Sequence, residues 1–183
     1  MSFRTLYTIG HSTRTIDEFL DLLKENQIDE LADVRSIPRS RHVPQFNSDN
    51  LEAALKHAGI AYTHLAKLGG RRHTRKDSIN LGWRNASFRG FADYMATAAF
   101  AEGLTELIHI ARQRRTAILC AEAVPWRCHR SLIADAMKVK GWTVRDIISS
   151  SPPAEHKLTP FLKVVDGMLT YPAAGDNSPR LFA

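Results

Sequence analysis

A mostly parallel β-sheet of about five strands, covered by helices on both faces, is what three features of this 183-residue sequence predict. Short apolar runs alternate with stretches whose apolar residues recur at helical spacing. Capping and turn residues mark the changeovers. Strand and helix then alternate through most of the chain, which is the order of an α/β fold with a parallel sheet. The expectation is one Rossmann-like three-layer domain over residues 1–150, followed over 151–183 by a linker, a short hairpin and a tail.

Phe3–Ile9 reads as the first strand and Gly10-His11-Ser12-Thr13 as the loop after it. Thr15 and Glu18 form a capping-box pair, and Ile16, Phe19, Leu20 and Leu23 continue as a helix face. Glu30–Val34 reads as a second strand, followed by a polar, proline-containing stretch from Ser36 to Phe46. Asn47, Ser48 and Asp49 are candidate caps for a helix carrying Leu51, Ala54, Leu55 and Ala58. Gly59 closes that helix, and Ile60–His64 reads as a third strand.

From Ala66 to Arg89 periodicity is lost. Loops of this length in a compact domain are usually functional or mobile. Phe91, Tyr94, Met95 and Ala98 mark one helix, and Leu104, Leu107, Ile108 and Ala111 another, with a break expected near Gly103. Thr116–Ala121 reads as a buried strand. A helix is expected near Cys128–Lys140 and a fifth strand over Trp142–Ile148. Ser149–Thr159 reads as a Ser/Pro-rich linker, Val164–Tyr171 as a hairpin turning at Asp166-Gly167, and the last residues as frayed.

Composition narrows the class. Hydrophobic residues make up 44% and charged residues 24%, ordinary for a globular chain. No apolar run reaches the roughly 20 residues a membrane span needs, so no membrane partner is expected. Two cysteines and no leader-like start point to free thiols in a reducing compartment, with cytoplasm as the expectation. The net charge of +6 favours anionic partners, a small molecule or a nucleic acid. Oligomeric state and cofactor are not legible.

Right-handed crossovers bring the C-terminal ends of parallel strands to one edge of the sheet, where ligands of such folds bind. That edge would collect Gly10-His11-Ser12, Asp33-Val34-Arg35, Cys120-Ala121-Glu122 and Cys128-His129-Arg130. These fragments, with Pro38, Ser40, Phe46 and Leu68-Gly69-Gly70, resemble the domain of unknown function 488 family in identity and order. The resemblance covers roughly residues 5 to 150. It implies an α/β domain of bacterial and archaeal proteins with no assigned reaction. Members often carry His in the fifth strand, where this chain has Asp146.

Candidate chemistry follows from residue type. Cys128 near a helix start would have its thiolate favoured by the helix dipole, with His129 and Arg130 adding to that. Cys120, ending an apolar strand, would be buried. Cys128, Glu122, Asp33 and His11 are the candidate catalytic residues, although Asp33 and Glu122 can equally orient Arg35 and Arg130. Ser12, Arg35, His129 and Arg130 are candidate substrate ligands, the last with the free N–H groups of its helix. Gly69, Gly70, Arg71 and Arg72 would let backbone and guanidinium groups approach a phosphate. Trp83 and Phe88 would be free to stack on bases.

Cys120, Cys128, His129 and His11 can converge on a metal, though neither a Cys-x-x-Cys nor a helical His pair is present. No metal ligand is assigned. A thiol phosphatase is disfavoured, because Trp126 and Ala134 stand six residues after the two cysteines. A Walker loop and a nucleophile elbow are also absent. The expectation is an enzyme for an anionic, phosphate-bearing, nucleotide or nucleic-acid substrate. Its rivals are a nucleic-acid-binding module using the 67–89 loop and a metal- or thiol-based protein using the cysteines.

Overall fold

The computed structural model describes residues 4–175. Phe3 of the predicted first strand and the tail expected to fray lie outside the described residues. Five parallel strands form the sheet: β1 (Thr5–Gly10), β2 (Glu30–Asp33), β3 (Ala61–His64), β4 (Thr116–Cys120) and β5 (Thr143–Ile147). Their order is β3-β2-β4-β1-β5, and a short β6 (Ala154–Glu155) pairs antiparallel with β5. Strands β7 (Lys163–Val165) and β8 (Met168–Thr170) make the C-terminal hairpin. Its turn residues Asp166 and Gly167 both have positive φ, at 50° and 80°, as a two-residue type I′ turn requires.

The strand pleat sends alternate side chains to opposite faces, which builds two cores. Tyr7, Ile9, Leu31, Ala117 and Leu119 pack with Phe19, Leu23, Leu51 and Leu55 of α1 (Ile16–Glu25) and α2 (Ser48–His57). Leu6, Ala32, Ile118 and Val144 face the other way. They meet Phe91, Leu104, Leu107, Leu132 and Ile133 of α3 (Ala86–Tyr94), α4 (Ala98–Gln113) and α5 (Arg130–Val139). The Thr15–Glu18 capping box opens α1, with both reciprocal hydrogen bonds made.

Several boundaries differ from expectation. The helix break falls at Met95–Thr97, where the Thr97 hydroxyl caps α4 by accepting from the Phe100 N–H. Gly103 lies inside α4, packed on Lys67 and Leu68. The Asn47 side chain caps no helix: its Oδ1 accepts from the Ser40 N–H at 2.7 Å and folds the 36–46 stretch back on itself. The segment read as a linker supplies β6.

That segment also closes a buried polar chain. The His156 ring reaches Asp146 at 3.0 Å through Nδ1 and Asp135 at 3.3 Å through Nε2. Asp135 also accepts from the Thr159 hydroxyl at 2.7 Å and the Tyr171 hydroxyl at 3.0 Å. Residues beyond β5 are thereby tied to α5. Burial opposes the charge on His156, but the two carboxylates outweigh it and push its pKa up to about 9. A folded pKa above the unfolded value of about 6.5 adds stability that is complete below that value and lost as pH rises through the folded pKa.

Denaturant unfolding of the wild type and of His156→Gln is therefore expected to differ most just below about pH 6.5, with the gap closing as pH rises through about 9. Parallel pH profiles for the two proteins would contradict this role.

Candidate active site

Adjacent β1 and β4 leave the sheet in opposite directions. The chain from β1 crosses by α1 to β2, and the chain from β4 crosses by α5 to β5, on the other face. Such a reversal opens a crevice at the strand ends. Gly10, paired in register with Cys120, is needed there. A Cβ on Gly10 would lie 1.7 Å from the Glu122 carbonyl oxygen and 3.0 Å from the Arg130 guanidinium. The ladder continues past the strands, with the His11 and Ser12 N–H groups donating to the Cys120 and Ala121 carbonyls. Arg14, which has no counterpart among the expected site residues, donates to the Gly10 and Ile148 carbonyls and joins the ends of β1 and β5.

The crevice is a cavity of about 500 Å³. It is lined by His11, Ser12 and Thr13 after β1, and by Arg35, Ser36, Ile37, Arg39, Ser40 and Val43 after β2. Gly70 and Arg71 line it from the long loop, Cys120, Ala121 and Glu122 after β4, and His129 before α5. Three arginines and one acid, Glu122, thus line it, with Arg35 already paired to Asp33. Arg71 has no carboxylate partner among the described residues, whereas Arg39 meets only the exposed Asp49 at 3.5 Å. Arg39 was not anticipated; its one sequence signal was its place in the proline-containing stretch after a strand.

Asp33 does not line the cavity. It is fully buried and takes the Arg35 side chain through Nε and Nη2 at 2.9 and 2.6 Å, with the Tyr62 hydroxyl on Oδ2 at 2.8 Å. It holds Arg35 in place, the orienting one of the two arrangements expected for it. His11 stacks on Phe46 with centroids 4.5 Å apart. Its Nδ1 meets the Ser12 carbonyl, which assigns the N–H to Nδ1, and its Nε2 lies 3.4 Å from the Arg35 Nη1. Burial and the nearby Arg35 charge lower the His11 pKa, and the ring lies against the Arg35 guanidinium.

Arg130 departs furthest from expectation. It is the largest fully buried side chain and does not reach the cavity. Its guanidinium donates to the Glu122 and Ala123 carbonyls at 2.5 and 3.0 Å, and Nε lies 3.4 Å from the Thr8 hydroxyl. The N–H groups expected to cradle a phosphate are also engaged. The Arg130 N–H meets the Cys128 sulfur at 3.5 Å, and the Ser131 N–H meets the Cys128 carbonyl at 3.0 Å.

Both cysteines are buried, as expected of Cys120, and it is Cys120 rather than Cys128 that borders the cavity. Cys128 precedes α5 in extended backbone, is buried, and does not line the cavity. The thiol facing the cavity is Cys120. A hydrogen bond from the Cys128 thiol, with His129 and Arg130 nearby, pulls the Cys120 pKa well down, and burial pushes that of Cys128 up. The His129 ring is held on several sides. Nε2 meets the Val34 carbonyl at 2.9 Å, and Phe91 contacts the ring edge-to-face. Gly70 packs so closely that a Cβ would lie 2.3 Å from Nδ1. Gly69 similarly abuts Ser36. The paired glycines therefore serve close packing within the protein.

Much of the basic 66–89 loop is engaged internally. Arg72 stacks 3.6 Å over the Tyr94 ring and does not line the cavity; Arg75 pairs with Asp77, Lys67 with Glu102, and Arg89 with the Trp83 carbonyl. Trp83 and Phe88 stack on each other and pack against the core.

A family model described as a domain of unknown function, DUF488, matches residues 15–137. The chain belongs to the DUF488 family. The matched span holds the cavity residues from Arg35 to His129, while His11 and Ser12 precede it and the His156 network extends past it. No curated protein and no solved structure matches the chain. No described helix of this DUF488 protein is long and apolar enough to cross a membrane.

Gly10→Ala is expected to destabilise the protein by about 3 kcal/mol or more in denaturant unfolding, since a backbone carbonyl occupies the Cβ position. A change within about 0.5 kcal/mol, ordinary for a neutral surface site, would contradict the close approach of β1 to the 121–123 loop.

Proposed function

We propose that this chain is an enzyme acting on an anionic, phosphate-bearing substrate of nucleotide size held in the β1/β4 crevice. The observation that carries the reading is the charge of the lining: Arg35, Arg39 and Arg71 against Glu122 alone. Guanidinium groups bind phosphate by paired, charge-assisted hydrogen bonds. Arg35 is held in place by Asp33 and His11. Arg71, and Arg39 with its exposed 3.5 Å contact to Asp49, are the groups that can close on a ligand, and Ser12 lines the same cavity. Cys120 and Glu122 face the same space and are the candidates for contact with reacting atoms.

The nucleic-acid-module reading depended on free arginines and stacking aromatics in the 66–89 loop. Arg72, Arg75, Arg89, Trp83 and Phe88 have internal partners instead. A shaped cavity favours a small phosphate-bearing molecule over a polymer backbone.

Inorganic phosphate and mononucleotides are expected to raise the melting temperature, as ligands of the folded state do, and to do so at moderate salt. Arg71→Ala and Arg39→Ala should each weaken that binding by about tenfold or more, the weight of a hydrogen bond to a charged group. Wild-type affinity in both variants would overturn the reading. So would stabilisation by oligonucleotides alone that fades as salt rises.

A further inference from the structure

Cys120, Cys128 and His129 present two sulfurs and one ring nitrogen within 4.8 Å of one another. They are the one such group of three among the described residues. The sulfurs lie 3.7 and 3.6 Å from the same atom, His129 Nδ1. Two sulfurs thus converge on one nitrogen lone pair. The spacing matches a metal-bound arrangement: metal–sulfur bonds of about 2.3 Å and metal–nitrogen bonds of about 2.0–2.1 Å at a tetrahedral angle place sulfur and nitrogen about 3.5–3.6 Å apart.

The surroundings suit a bound cation. His129 Nε2 meets the Val34 carbonyl at 2.9 Å, which puts the N–H on Nε2 and leaves Nδ1 as the ligand atom, the usual support for a metal-bound histidine. The Arg130 N–H points at the Cys128 sulfur at 3.5 Å, and such a donor favours thiolate over thiol. Gly70 and Phe91 hold the ring in its plane. Cys120 and His129 line the cavity whereas Cys128 does not, so a fourth ligand would arrive from the cavity side.

We propose that Cys120, Cys128 and His129 form a three-ligand site for a thiophilic divalent cation, zinc by ligand type, with its fourth position open to the cavity. Two thiolates and an imidazole select zinc over hard cations. Three protein ligands with an open position are the arrangement of a catalytic rather than a structural zinc. The site stands on its own geometry and does not depend on the anion reading. His11, with both ring nitrogens engaged elsewhere, is not a ligand.

The test uses the full chain, stripped with a chelator under reducing conditions and titrated with Zn2+ and separately with Co2+. One equivalent of Zn2+ should bind, raise the melting temperature and protect both thiols from a disulfide reagent. Co2+ should give thiolate-to-metal charge transfer and the visible bands of tetrahedral coordination. Cys120→Ser, Cys128→Ser and His129→Ala should each lose more than about a hundredfold in affinity, beyond the 10–100-fold cost of losing an outer-shell partner. His11→Asn should bind as the wild type does. Should a cysteine variant fail to fold, the wild-type cobalt spectrum and thiol protection decide. Absence of thiolate charge transfer, or retained affinity in the folded ligand variants, would overturn the site. Phosphate binding with no metal binding would do the same while leaving the anion reading in place.

Discussion

Arg130 has no exposure to solvent, and its guanidinium holds the loop that forms one wall of the cavity. Removing a charge from water is costly unless it is well bonded. Here the Glu122 and Ala123 carbonyls accept from it, and Thr8 links it to Asp146 at 2.7 Å. Asp146 leads on through His156 to Asp135. With His156 protonated, the line holds two cations and two carboxylates. The same chain of contacts sets the turn after β4, anchors the start of α5, and ties β6 and Tyr171 to the main sheet. Gly10 completes the constraint, because only a residue without a Cβ lets β1 end against the Glu122 carbonyl.

The site divides by the element each residue leaves. The loops after β1 and β2 bring His11, Ser12, Arg35 and Arg39, and Arg71 comes from the long loop. The turn after β4 and the approach to α5 bring the sulfurs and His129. The two halves meet because β1 and β4 are neighbours whose connections diverge. An anion held by the arginines would lie in the same cavity as Cys120 and His129, so the anion site and the proposed metal site share a wall.

Much of this was legible in the sequence, for identifiable reasons. Period and caps marked the parallel strands and their helices, the strand-end rule named the edge that carries His11, Ser12, Arg35, Glu122 and His129, and the glycine pair and arginines of the long loop marked Gly70 and Arg71. The rule says which loops gather, but not where side chains point. Arg130 turns inward to two carbonyls of its own preceding loop. Asp33 turns to Arg35 because they are two residues apart at a strand end. The order of the cysteines depended on where α5 begins, and element ends are the least legible part of a sequence. His156 was hidden in a Ser/Pro-rich stretch, since its partners lie 10 and 21 residues away. Arg72, Trp83 and Phe88 took internal partners that no local pattern specifies.

On the proposed reading, the crevice between β1 and β4 is where this protein meets its ligand. Backbone amide chemical shifts, followed while inorganic phosphate is titrated into labelled protein, test it most directly. Changes are expected to be confined to residues 10–13, 35–43, 69–71, 120–122 and 129, saturating at one equivalent site. Changes confined to other basic surface, such as that around Arg84 or Lys140, or a non-saturating drift across the whole chain, would contradict it.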